Sequence, residues 1–161
     1  GVCPAGSAIS AVLPDGTVTC VTTQSPEVRF KAESLASQVA NPGATTVNGW
    51  GTLTNVGGGT YDASTGTYTV PSAGVYLVAT TVGLSSNSGA SGNRCVFVTF
   101  NGTADGAECS DPTTSLISSS ITHVASLNAG DTIQVRVQNN TAAATSTADS
   151  QTAVLSIVRL R

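Results

Sequence analysis

Residues 58–82 read GGTYDASTGTYTVPSAGVYLVATTV, two strand patterns framed by turn residues. Asp62-Ala63-Ser64-Thr65-Gly66 supplies a polar turn. Thr67-Tyr68-Thr69-Val70 alternates polar and apolar side chains, as a half-buried strand does. Pro71 has no backbone donor and closes that strand. Ser72-Ala73-Gly74 then turns the chain into a long apolar run over 75–84. Further strand patterns fall at 28–32, 50–54, 59–62, 94–101, 115–127, 131–139 and 152–160. Only ESLASQV, at 33–39, could form a turn of helix. The chain therefore reads as all-β.

The rest of the sequence repeats that pattern. Val28-Arg29-Phe30-Lys31-Ala32 opens the main region, Asn101-Gly102 follows a strand as an N-G turn, and Leu127-Asn128-Ala129-Gly130-Asp131-Thr132-Ile133 leads into a late strand. Together with Gly58, Gly59, Tyr61, Asp62, Thr65, Gly66, Tyr68, Thr69, Pro71, Gly74, Val75 and Tyr76, these segments resemble the C1q-like domain of the C1q and tumour necrosis factor superfamily, in its bacterial or phage type. The resemblance runs over roughly residues 27–161 and implies a ten-stranded jelly-roll β-sandwich. The last strand departs from it. Ala153-Val154-Leu155-Ser156-Ile157-Val158 is small and aliphatic where many members are aromatic.

Residues 1–26 read as a separate connector. Ala8-Ile9-Ser10-Ala11-Val12-Leu13 and Val18-Thr19-Cys20-Val21 flank Pro14-Asp15-Gly16-Thr17, so a small β-hairpin is expected. Four cysteines allow three connectivities, of which the local one, Cys3 with Cys20 and Cys95 with Cys109, is the simplest. Reduced thiols are the alternative; the charge-poor composition and a loop position for Cys109 favour disulfides. The chain starts at Gly1 and contains no Met, which reads as a mature or trimmed product.

Only 9% of residues are charged, against about 25% in ordinary soluble proteins, so the surface is built from Thr, Ser, Asn, Gln and Gly. Net charge is −3 with no basic run, which argues against a nucleic-acid or anionic-membrane partner. No apolar run reaches the length of a membrane span, so no membrane insertion is expected.

Some strands are apolar on both faces. Ile133, Val135 and Val137 alternate cleanly with Thr132, Gln134, Arg136 and Gln138, one buried face and one wet. In 74–84, by contrast, Val75, Leu77 and Ala79 share one face and Tyr76, Val78 and Val82 the other. In 152–160, Leu155 and Ile157 oppose Val154, Val158 and Leu160. Strand 95–100 sets Val96, Val98 and Phe100 against Cys95 and Phe97. A sandwich strand has one core face, so the second must be covered by residues 1–26 or by another copy of the chain. The resemblance implies a homotrimer, and Tyr76, Val78, Val82, Val154, Val158 and Leu160 are expected in its interface.

No catalytic constellation is present, and no cofactor is expected. His123, the single histidine, reads as a structural or surface residue, and no G-x-S-x-G elbow supports a hydrolase. Asp105, Glu108 and Asp111 lie close in sequence and could offer oxygen ligands to calcium; a solvated acidic loop is the preferred reading. Trp50 reads as core rather than a sugar-stacking platform. Asn101-Gly102-Thr103 and Asn139-Asn140-Thr141 match the glycosylation triplet but serve equally as turns. The expected function is a non-enzymatic trimeric head, secreted or on a cell or virion surface, with protein or glycan recognition at loops 85–92, 103–113 and 139–150. The alternative is a purely structural trimerisation module of a phage tail fibre or surface filament.

Overall fold

The computed structural model describes residues 1–5, 7–22, 27–34, 39–40, 42–84, 92–111, 117–140, 145–146 and 153–160. Their regular structure is entirely extended. The strands are β1 (Ser7–Val12), β2 (Val18–Thr22), β3 (Arg29–Ser34), β4 (Val39–Ala40), β5 (Gly43–Thr46), β6 (Trp50–Val56), β7 (Thr60–Asp62), β8 (Thr67–Thr69), β9 (Gly74–Leu84), β10 (Arg94–Phe100), β11 (Thr103–Ser110), β12 (Ile117–Leu127), β13 (Thr132–Asn139), β14 (Thr145–Ser146) and β15 (Val154–Arg159).

Two sheets form the sandwich. One runs β12-β9-β15-β3-β6; the other runs β11-β10-β13-β8-β7, with β5 joined to β13 beyond β8. All pairings are antiparallel. The layers share one core. Phe30, Tyr76, Val78, Val82, Leu84, Leu155 and Ile157 come from the first sheet, and Tyr68, Val96, Val98, Ile133, Val135 and Val137 from the second. Burying each aliphatic or aromatic side chain is worth about 1.5–3 kcal/mol, so this layer interface dominates stability. The rings of Phe30 and Tyr68 meet across it at 4.8 Å.

The turn glycines of 58–82 have steric reasons. A Cβ on Gly59 would collide with the Tyr68 hydroxyl. Gly66 sits at φ 66°, and a Cβ there would overlap the Val47 carbonyl oxygen and crowd Asn48. Within the same turn Asp62 Oδ1 accepts the Ser64 N–H at 2.9 Å and the Ser64 hydroxyl at 2.7 Å. These bonds, the side-chain one first, hold the Asp62 carboxyl below the usual carboxylate range.

Among the strands that escape a reading of apolar alternation, β11 and β5 are the longest. β11 was expected as a loop, yet it pairs with β10 from Arg94↔Ser110 to Phe100↔Thr103. Its residues are nearly all exposed, so no hydrophobic pattern marks it. What makes it a strand is the turn before it: Asn101 (φ 52°) and Gly102 (φ 79°) form the mirror-image turn that folds a chain straight back. The second is β5, also polar. Of the expected helical turn at 33–39, Glu33 and Ser34 belong to β3 and Val39 to β4, while 35–38 lie outside the described residues.

Both local disulfides are formed, Cys3–Cys20 and Cys95–Cys109. The second joins directly opposed residues of β10 and β11, so Cys109 is on a strand and not in a loop. β1 and β2 make a separate two-stranded ribbon, with Asp15 Oδ1 accepting the Thr17 N–H in its turn. The expected boundary at residues 26/27 falls at the edge of residues 23–26, which lie outside those described.

Candidate functional site: the outer face of the five-stranded sheet

Register determines which side chains share the outward face of this sheet, because directly opposed residues in an antiparallel pair point the same way. One row crosses five strands: Val124 of β12, Leu77 of β9, Val158 of β15, Arg29 of β3 and Val56 of β6. Two residues along β9 the next row reads Thr122, Ala79, Ser156, Lys31 and Thr54. The row after that begins Ser120, Thr81, Val154 and Glu33.

The face therefore has three zones. At one end of β12, β9 and β15 it is apolar, with Val124 60% and Leu160 54% exposed. At the other end it is lined with hydroxyls around a shallow hollow of about 220 Å³ bounded by Ala79, Thr81, Ser120, Thr122, Val154 and Ser156. Thr81 and Ser120 hydroxyls bond each other there at 2.8 Å. Along β3 it is charged but locally neutralised, Arg29 with Glu27 at 3.4 Å and Lys31 with Glu33 at 3.7 Å. These ion pairs are exposed and contribute little to stability.

The expected interface residues divide between the faces. Val154, Val158 and Leu160 lie outward. Tyr76, Val78 and Val82 do not: each is 0% exposed inside the chain's own core. The Tyr76 hydroxyl donates to the Ser72 carbonyl at 2.7 Å, which lets a polar ring end sit inside. The outward residues of β9 are Val75, Leu77, Ala79 and Thr81, all half-buried. Strand β9 is apolar at both parities, so its sequence leaves the choice of face open. The available signal was β12, whose outward set Ser118, Ser120, Thr122, Val124 and Ser126 is mostly polar, but linking it to β9 needs the register.

The second apolar face of β10 has a different cover. Phe97, 8% exposed, lies under the Arg136 guanidinium, whose central carbon is 5.7 Å from the ring centroid. A neighbouring strand of the same chain thus shields it, by a cation–π contact.

Asp105 and Glu108 stand on β11 with Asp111 just beyond it, and no group of three or more His, Cys, Asp or Glu side chains among the described residues is placed to hold a metal. Asp105 instead approaches His123, carboxylate oxygen to Nδ1 at 3.6 Å. The imidazole packs edge-on to Phe100 at 6.4 Å, and a Cβ on Gly106 would overlap it. His123 thus plugs the open side of the sandwich between β11 and β12, the structural role expected for it. Trp50 is 2% exposed and its indole N–H donates to the Val47 carbonyl at 3.0 Å, so it is core.

Asn101 is committed at both ends of its amide. Nδ2 donates to Asp131 Oδ1 at 3.0 Å, and Oδ1 accepts the Thr132 N–H at 2.8 Å. Asp131 also accepts the Asn128 N–H at 2.7 Å; that backbone bond first, then Asn101, holds its carboxyl below the usual range. Asn139 is buried, 1% exposed. Both triplet asparagines therefore serve the fold. Of the expected recognition loops, residues 103–110 are β11 and 145–146 are β14, while 85–91, 112–116, 141–144 and 147–150 lie outside the described residues.

This two-sheet, antiparallel arrangement is a jelly roll of the C1q and tumour necrosis factor type. The structure of murine APRIL at pH 5.0 superimposes with a TM-score of 0.64 at 18% identity, over 83% of this chain and 99% of that one. Eiger TNF from S. frugiperda gives 0.66 at 17% identity, over 85% and 94% respectively. At such identities these likenesses show the fold alone. The C1q domain profile matches residues 30–155, and the chain belongs to the C1q domain family. No curated protein sequence matches it. Domains of this class typically form trimers, bind ligands and are secreted or displayed at surfaces. No helix among the described residues is long and apolar enough to cross a membrane.

Proposed function

We propose that the chain is a non-enzymatic, extracellular recognition head that assembles as a homotrimer through the outer face of the β12-β9-β15 strands. One observation carries this reading. That face presents the row Val124, Leu77 and Val158 without a charged side chain, while its charges are confined to β3 at the side. An apolar centre with a polar, self-neutralised rim is the anatomy of a subunit interface. A repeating copy supplies the cover with no other partner required, and a closed ring leaves no such face open. Ligands then bind at the loop ends of the sandwich.

Leu77→Asp tests it, because Leu77 is central to the row and outside the core. Light scattering on the native chain is expected near three times 15.9 kDa, and on the variant near one, with unchanged circular dichroism. A native chain that stays monomeric at micromolar concentration refutes the proposal. Glycan and surface-polymer screening with loop-swapped trimers then asks what the head recognises; a trimer that binds nothing points to the structural module instead.

A further inference from the structure

The β1–β2 ribbon carries a second apolar surface that the sandwich does not cover. Ile9 pairs with Cys20 and Val12 with Val18. Cys20 and Val18 are two apart on β2, so all four side chains share one face. The Cys3–Cys20 disulfide lays the first residues on part of it, with Gly1 against Val18. Ile9 and Val12 remain 53% and 64% exposed, with Leu13 at the turn 47% exposed. A two-stranded ribbon with this composition is marginal in water by itself.

Three features of the chain say what covers this surface. The ribbon ends at Thr22 and β3 begins at Arg29, which lies in the Val124–Leu77–Val158 row at the apolar end of the outer face. The ribbon is thus tethered within at most about 25 Å of that end. Asp15, at the turn, is the single charged side chain in residues 1–22, so like ribbons do not repel each other. When copies assemble through the outer face, their ribbons are held near the same end, which raises the local ribbon concentration above that in free solution.

We infer that the N-terminal ribbon is a second self-association element: the Ile9 and Val12 faces of neighbouring copies pack together beyond the apolar end of the head and lock the assembly. The occupant is a second copy of this ribbon. This rests on assembly through the outer face, and the ribbon adds to it by avidity rather than replacing it.

The test uses the full oxidised chain. In a dilution series followed by sedimentation, the double variant Ile9→Asp/Val12→Asp is expected to assemble but to dissociate at a concentration at least tenfold higher than the native chain. Thiol titration confirms that both disulfides are intact in it. A dissociation midpoint within twofold of native overturns the inference, and means that the ribbon is free or meets something other than its own copy. A second variant, Val12→Cys, is expected to give disulfide-linked chains on mild oxidation, whereas Leu53→Cys, exposed on β6, gives none; absence of Val12 links also overturns it. Leu77→Asp on the same series separates the two ideas. If Leu77→Asp abolishes assembly while the ribbon variants change nothing, the head interface stands and the ribbon inference alone falls. If Leu77→Asp leaves assembly intact, the head interface itself is wrong, and the ribbon inference built on it falls too.

Discussion

Replacing Gly66 by Ala should damage this protein far more than replacing Gly130, although both residues adopt positive φ, 66° and 89°. The left-handed backbone costs a non-glycine residue about 1–2 kcal/mol, and both substitutions incur it. Around Gly130 nothing lies within 4 Å of the new Cβ, so its cost stops there. At Gly66 the Cβ overlaps the Val47 carbonyl oxygen and stands 3.1 Å from Asn48 Cα. That oxygen accepts the buried indole N–H of Trp50, and the Val47 N–H donates to Val135 at 2.9 Å. Pushing it away leaves a buried donor unmatched, at about 1–3 kcal/mol. The sum is about 2–5 kcal/mol for Gly66→Ala against about 1–2 for Gly130→Ala. In a domain of this size each kcal/mol lowers Tm by about 2–4 °C, so drops of about 4–20 °C and 2–8 °C are expected. Trp50 is the sole tryptophan and reports the event directly. Melts at equal chain concentration, followed by its emission, should show a red-shifted native spectrum for Gly66→Ala only. Equal Tm losses with identical emission would refute the argument that the Val47 carbonyl, rather than backbone conformation alone, requires the glycine.

Burial pushes the Tyr61 and Tyr68 phenols up to about 12. Their folded values exceed the unfolded value near 10, so the stability they confer is complete below about pH 10 and is lost as pH rises towards 12. Denaturant midpoints measured from pH 8 to 12 are expected to fall over that window, and Tyr68→Phe should flatten the fall; a flat native profile contradicts the prediction. Because Asp105, Glu108 and Asp111 do not converge, Tm should be the same in calcium and in chelator. A calcium-dependent rise of several degrees would show that they do.

Much of the fold is legible where turn chemistry and apolar alternation coincide. Asp62 to Gly66 must turn, and Pro71 and Gly74 bracket the next reversal. The clean alternation of β13 predicts its buried set Ile133, Val135 and Val137, and these are 0% exposed. The polar strand β11 was not legible as one, since ladder hydrogen bonds leave no mark on side-chain type. For the same reason the sequence does not reveal that Asp105 and Glu108 stand on a strand.

The order of turns and apolar runs in residues 58–82 already determines an extended, turn-punctuated chain, because dihedral preference and side-chain period act over a few residues, whereas the cysteine spacing only favours the local pairing that the structure shows. Which face of β9 enters the core is different. Tyr76 and Leu77 are both apolar, and only the pairing of β9 with β12 and β15, more than thirty residues away in sequence, turns Tyr76 inward and leaves Leu77 for a neighbour. Strand parity is a property of register, and register exists only once the sheet has formed.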